Sequence, residues 1–156
     1  MTAAKADKPA FRVNLRFVCN LCNDVTAMKK FYGDVLGMEV GSFGDTPQGG
    51  WLILRSEGLE LVFCRGEAPL TAATEFAFVP GDGGGNSPAG SWSIVVPEDD
   101  MRDTVQRLRE AGATLQTPAP TWRQNSYWGI NVLDPMGNTL EVGCYVKAKP
   151  ADTTWR

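Results

Sequence analysis

Histidine is absent from this chain of 156 residues. That removes the commonest metal ligand and the usual acid/base near neutral pH. Ser-His-Asp triads, Cys-His dyads and histidine-containing metal sites are excluded with it. Apolar runs of membrane-spanning length are missing, so no membrane partner is expected. Positive charge is not in excess: 15 Lys+Arg against 18 Asp+Glu leave a formal net charge of −3, which argues against nucleic acid. The first ten residues carry lysines with no apolar run behind them, so no secretory leader is expected.

Cysteine is sparse, with four residues at Cys19, Cys22, Cys64 and Cys144. In a chain without a leader they are expected to stay reduced in the cytoplasm. Cys19 and Cys22 form a C-x-x-C, but they lie in the strand-like run from Leu15 to Leu21. A separation of three places them on opposite faces of a strand, so they read as packing residues and not as a chelating or redox pair.

What the chain does have is an internal repeat with a period of about fifty residues. In the first copy a strand over Val13 to Leu21 runs to Asp24, a good helix N-cap. Val25, Met28, Tyr32 and Val35 then recur at helical spacing, and Gly37 supplies the stop. Strands follow over Met38 to Phe43, Trp51 to Arg55 and Leu59 to Cys64. In the second copy a strand over Ser91 to Val96 leads to Asp99 or Asp100 as N-cap. Met101, Val105 and Leu108 form the helical stripe, with Gly112 as the stop. Strands are expected near Ala113 to Gln116, at Trp128 to Leu133 and at Thr139 to Tyr145. Asp134-Pro135-Met136-Gly137-Asn138 joins the last two as a tight hairpin.

The fold class implied is α+β: two βαβββ modules whose curved mixed sheets enclose a cavity, with the helices on the outer face. The expected division is a flexible N-terminal tail over 1–10, a first module over 11–66, a glycine-rich linker over 67–90, a second module over 91–146 and a C-terminal tail over 147–156. Residues 11–146 then make one domain. The stretch from Thr71 to Val79 fits either a short helix or an edge strand. Strand alternation places Leu59, Leu61 and Phe63 on the helix side and Glu60, Val62 and Cys64 on the cavity side. Likewise Leu140, Val142 and Cys144 pack, while Thr139, Glu141, Gly143 and Tyr145 face inward.

Two motifs carry a resemblance. They are Asp24-Val25 through Phe31-Tyr32-Gly33-Asp34-Val35-Leu36-Gly37-Met38, and Asp134-Pro135-Met136-Gly137-Asn138-Thr139-Leu140-Glu141-Val142. Over roughly residues 12 to 146 the chain resembles the vicinal oxygen chelate superfamily, which includes glyoxalase I, extradiol dioxygenases, fosfomycin-resistance enzymes and bleomycin-resistance proteins. In its metal-dependent members the first strand of each module brings a histidine or similar ligand, and the fourth strand brings a glutamate. The resemblance places Phe17 at the first histidine position and Ser91 or Ser93 at the second. Glu60 and Glu141 stand at the glutamate positions. Two glutamates with a phenylalanine and a serine do not suit a transition metal, so no metal and no cofactor is expected.

A carboxylate in a partly apolar cavity can bind a cationic or hydrogen-bond-donating ligand, or act as an acid/base. The ligand-binding candidates are therefore Phe17, Cys19, Glu60, Ser91, Ser93, Trp122, Tyr127, Trp128 and Tyr145, with Glu141 the candidate catalytic group. Trp122 and Tyr127 sit in or beside a polar loop, Thr117 to Ser126, that reads as a lid. The reading favoured is a metal-free binding protein for a small aromatic or cationic molecule. A metal-independent lyase or isomerase with Glu141 as base is the alternative. A further alternative is a degenerate glyoxalase- or dioxygenase-like domain acting through a protein partner. A homodimer is expected, because proteins of this build complete open sheet faces across a two-fold axis.

Overall fold

Strand β1 (Phe17–Cys22) runs out at Asn23, and Asp24 turns the chain into a helix by accepting a hydrogen bond from Ala27 N at 2.9 Å. Residues 15–80 and 82–155 are described by the structure, a computed structural model; the tail expected over 1–10, positions 11–14, Gly81 and Arg156 lie outside them. Helix α1 (Val25–Lys29) is short, because the chain then widens into a π-helical turn and a half over Lys30–Val35. Leu36 N reaches back five residues to Phe31 O at 3.1 Å. Spacing alone implies one regular α-helix, and the π turn is where the structure differs. Two consecutive residues, Phe31 and Tyr32, are buried within it. Gly37, at φ 79°, stops the element as expected.

Strands β2 (Glu39–Thr46), β3 (Gly49–Ser56) and β4 (Leu59–Arg65) complete the first module, whose sheet order is β1-β4-β3-β2. The second module repeats the plan with β5 (Ser91–Val95), a 3-10 turn over Glu98–Asp100, α2 (Met101–Glu110), β6 (Thr121–Arg123), β7 (Tyr127–Leu133) and β8 (Thr139–Tyr145). Its sheet order is β5-β8-β7-β6. Both sheets are mixed and four-stranded, with the first and last strands of each module parallel, and neither closes into a barrel. The fold is the α+β pair of modules read from the repeat.

One strand is displaced from its expected place. Residues 114–116 do lie along β7, with Leu133 N on Thr114 O and Gln116 N on Asn131 O, but they form only an isolated bridge at Leu115. Pro118 and Pro120 have no N–H to give, so the chain leaves the ladder there and rejoins it as β6. The stretch expected as a lid loop is accordingly a hairpin, turned by Gln124 and Asn125 in the left-handed region at φ 48° and 54°.

A single apolar core lies on the helix side of both sheets, from Met28, Tyr32, Leu54 and Phe63 to Val105, Leu108, Ile130 and Leu140. The two recognition motifs meet inside it. Tyr32 OH donates to Asp134 Oδ2 at 2.9 Å across the module boundary, and the Tyr32 ring stacks on Phe63 at 5.1 Å and Trp92 at 6.4 Å. Asp134 also builds its own hairpin: Oδ1 accepts from Met136 N at 2.8 Å and Asn138 N at 2.9 Å, and Oδ2 from Asn138 Nδ2 at 2.9 Å. Outside the core contact, Arg107 Nε donates to Val35 O at 2.7 Å.

The segment between the modules forms neither a helix nor an edge strand over Thr71 to Val79. It is a strap laid across the second module. Ala73 N donates to Met136 O at 3.0 Å, and Ala77 N to Thr139 Oγ1 at 2.7 Å. Gly137 is required twice, by its φ of 76° and by the strap, since a Cβ there would come within 1.8 Å of Ala73 O. The C-terminal residues also return to the body, where Trp155 packs edge-on to Trp128 at 5.1 Å under the Arg102 guanidinium. Among the described residues no helix is long and apolar enough to cross a membrane.

Burial pushes the Asp134 carboxyl above its ordinary 3.8, and its hydrogen bonds from Asn138, Tyr32 and the hairpin backbone oppose that rise. Tyr32→Phe removes one of the opposing contacts. It is expected to destabilise the fold by about 1.5–3 kcal/mol in urea unfolding at neutral pH. Because Tyr32 favours the charged carboxylate, the deficit should shrink as pH falls through the folded value of Asp134 toward 3.8 and the group takes its proton.

Candidate binding site

Parallel pairing of β5 with β8 sets Ser93 beside Glu141 and Ser91 beside Thr139. In the first module β1 and β4 set Phe17 beside Glu60 by the same geometry. Ser93 is therefore the counterpart of Phe17, which decides between the two serines. Both serines, with Tyr127, Glu141, Gly143 and Tyr145, line a cavity of about 390 Å³, closed on one side by Val79 and Pro80 of the strap.

Glu141 is buried, and its Oε1 accepts two hydrogen bonds, from Arg123 Nη1 at 2.7 Å and Tyr127 OH at 2.8 Å. Arg123 is itself only 3% exposed. The same Nη1 donates to Asn131 Oδ1 at 2.8 Å, and Nη2 stands 3.1 Å from the Asp82 carboxylate of the strap. Asn131 Nδ2 donates to Asp82 Oδ2 at 2.9 Å and also to Gln116 Oε1. One guanidinium thus faces two carboxylates, leaving the cluster with one uncompensated negative charge. Burial, then the hydrogen bond to Glu141, pushes the Tyr127 phenol up to about 12, so it stays a proton donor to the carboxylate.

Room for this cluster comes from two facing glycines, Gly129 on β7 and Gly143 on β8. A Cβ on Gly129 would lie 2.8 Å from Arg123 Cδ, and one on Gly143 would press the Tyr127 ring at 3.3 Å. Arg123, Asn131 and Asp82 were not among the residues marked by sequence. The available signal was alternation: Tyr127, Gly129 and Asn131 interrupt the apolar face Trp128, Ile130, Val132, and a buried asparagine in such a run needs polar company.

Alternation also corrects two assignments. Trp128 follows Tyr127 directly, so it takes the opposite face, in the core, against Trp122 at 5.2 Å. Trp122, expected on a lid, precedes Arg123 in β6 and packs on that same core. Neither lines the Glu141 cavity. Tyr127 and Tyr145 do, with ring centroids 5.4 Å apart.

Phe17, Cys19 and Glu60 lie on the other sheet's open face, with Leu21, Val62, Cys64 and Trp51. Phe17 is 49% exposed, Leu21 53% and Trp51 40%. Trp51 is fixed there by a hydrogen bond from Nε1 to Ser42 Oγ at 3.0 Å. Glu60 is half-buried, with Arg55 Nε at 3.9 Å. No residue of this face lines the Glu141 cavity, so the structure does not bring the two glutamates into one site within the chain.

The donor set does not fit the metal ion of the metal-dependent relatives. Phe17 offers no ligand atom, Ser93 offers a neutral hydroxyl, and the Glu141 carboxylate is already matched by a guanidinium. Among the described residues no group of three His, Cys, Asp or Glu side chains could hold a metal. Glu141 as a base would have to take a proton on a carboxylate whose Oε1 is engaged twice.

Residues 17–142 match the Glyoxalase/Bleomycin resistance protein/Dioxygenase superfamily. The chain belongs to that superfamily. No curated protein sequence matches it. Among solved structures it is similar to a glyoxalase/dioxygenase from Nostoc punctiforme, at 16% identity and a TM-score of 0.67, covering 94% of this chain and 100% of that one. It is similar to the fosfomycin resistance protein FosX from Listeria monocytogenes, at 10% identity and a TM-score of 0.61, covering 88% and 97%. A lactoylglutathione lyase from Agrobacterium tumefaciens is 19% identical with a TM-score of 0.56, covering 88% and 96%. At these identities the likeness is one of fold, and a fold of this kind hosts several chemistries.

Arg123→Met leaves the buried Glu141 and the half-buried Asp82 facing each other with no cation between them. It is expected to destabilise the protein by about 3–5 kcal/mol. Adding Glu141→Gln should recover part of that loss, so that a double-mutant cycle read by urea unfolding gives a clear coupling between the two positions.

Proposed function

We propose that this superfamily member binds a small aromatic or cationic molecule in the cavity beside Glu141, without a metal ion in the binding step. The observation that carries this reading is the engagement of Glu141. Both of its hydrogen bonds end on Oε1, so Oε2 is left to accept from a ligand, next to a cluster with one negative charge in excess. The paired rings of Tyr127 and Tyr145 offer the flat wall such a ligand stacks on. Four free thiols suit a cytoplasmic location.

A homodimer goes with this reading. The exposed rings and aliphatic side chains of the first module's open face and the exposed Val95 and Tyr145 at the cavity rim are faces that a second copy would cover. Pairing would set Phe17 and Glu60 of one protomer against the Ser93 and Glu141 half-site of its partner.

Three measurements test these statements. Elemental analysis of protein purified without added metal should find no stoichiometric zinc, nickel or iron, and one tightly held ion per chain overturns the metal-free reading. In a screen of aromatic amines by calorimetry, Glu141→Gln should weaken any binder by about tenfold or more, the loss of one charge-assisted hydrogen bond. Phe17→Asp should shift sedimentation from dimer to monomer while leaving the circular dichroism of the fold unchanged.

A further inference from the structure

The C-x-x-C cysteines are separated by the strand: Cys22 is fully buried on the helix side and Cys19 is exposed on the open face. A different pair is brought together. In the β1–β4 register Cys19 stands opposite Val62 and Leu21 opposite Cys64, so Cys19 and Cys64 share the open face on a diagonal. Cys19 lies near enough to act on the Cys64 thiol. Both are free, and Trp51 is the cross-strand neighbour of Cys64 on the other side.

We propose that Cys19 and Cys64 form a two-coordinate site for a soft monovalent metal ion of the Cu(I) class. The chemistry follows from the number and kind of donors. Thiolate selects soft ions, and two sulfurs alone meet the needs of an ion that accepts two ligands. Zinc asks for four ligands and oxygen-seeking ions for six or more, and no third His, Cys, Asp or Glu joins this pair among the described residues. A disulfide requires Cβ atoms about 3.5–4.5 Å apart, whereas a bridging ion tolerates the wider spacing of a diagonal pair. Burial, then the neighbouring Cys19, pushes the Cys64 thiol up. Uptake is Cu(I) plus two thiols giving a bis-thiolate complex and two protons. The complex carries one negative charge, which solvent reaches at Cys19 in a single protomer.

This site shares the first module's open face with Phe17 and Glu60, which the proposed dimer would cover, but its test does not depend on ligand binding beside Glu141. The test titrates fully reduced protein, without oxygen, against the Cu(I)–bicinchoninate complex and follows the loss of its visible absorbance. One Cu(I) per chain should be withdrawn, and Cys19→Ser and Cys64→Ser should each abolish the withdrawal. The apparent affinity should climb as pH rises, since uptake releases protons. Cys19→Ser replaces an exposed side chain, so circular dichroism should show an intact fold and its result stands alone. Failure of the wild-type protein to compete overturns the proposal, and so does undiminished withdrawal by Cys19→Ser.

Discussion

A phenol and a carboxylate from opposite ends of the sequence hold this fold together. Tyr32 and Asp134 are separated by 102 positions, yet their hydrogen bond lies in the core between the modules. Each partner is also built into its own element, Tyr32 in the π-helical turn and Asp134 in the hairpin that starts β8. The contact therefore fixes how the first module's helix sits on the second module's sheet. Everything downstream inherits that placement, including which face of β5 looks toward the core and which toward the cavity. Burial makes the interaction strict, since an unmatched charge in that core has no water to turn to.

The same physics operates with a different outcome on the open side of the second sheet. There the buried charge is Glu141, and the chain supplies Arg123 as its counter-ion. A resident guanidinium does for the carboxylate what a metal ion does in the metal-dependent branch of the superfamily: it neutralises the charge and orients the oxygens. On the proposed reading it also changes what the site can offer a ligand. A metal presents an open coordination position, whereas a guanidinium held between two carboxylates and an asparagine presents none, and the free capacity passes to Glu141 Oε2 and the tyrosine rings.

Architecture was legible in the sequence because it rests on local rules. Asp24, Gly37, Gly112 and the Asp134–Asn138 turn each specify backbone geometry on their own, and Gly37 and Gly112 do so at matching places in the two modules. Faces of strands were legible where alternation was clean, as in β4 and β8. The site was only half legible. Glu141, Ser93, Tyr127 and Tyr145 were marked, but Arg123 was passed over because an arginine in a polar stretch ordinarily faces water. Its burial depends on the space above Gly129 and on Asp82, which the strap delivers from 41 positions away. Trp122 and Trp128 were misplaced for a related reason: aromaticity suggests a binding wall, but the strand's two-residue period decides the face.

The strap itself has a consequence for how this protein can be altered. Surface connections with glycine-rich composition are ordinarily the places where residues can be added or removed at little harm. Here the backbone is pinned at Ala73, at Ala77 and, through Asp82, at the guanidinium. Deleting or inserting a single residue between those pins would pull Asp82 out of step with Arg123. The tether's length is thereby a determinant of the pocket's charge, and a chimera that swapped it for a generic spacer would keep its architecture while giving the cavity beside Glu141 a different electrostatic environment.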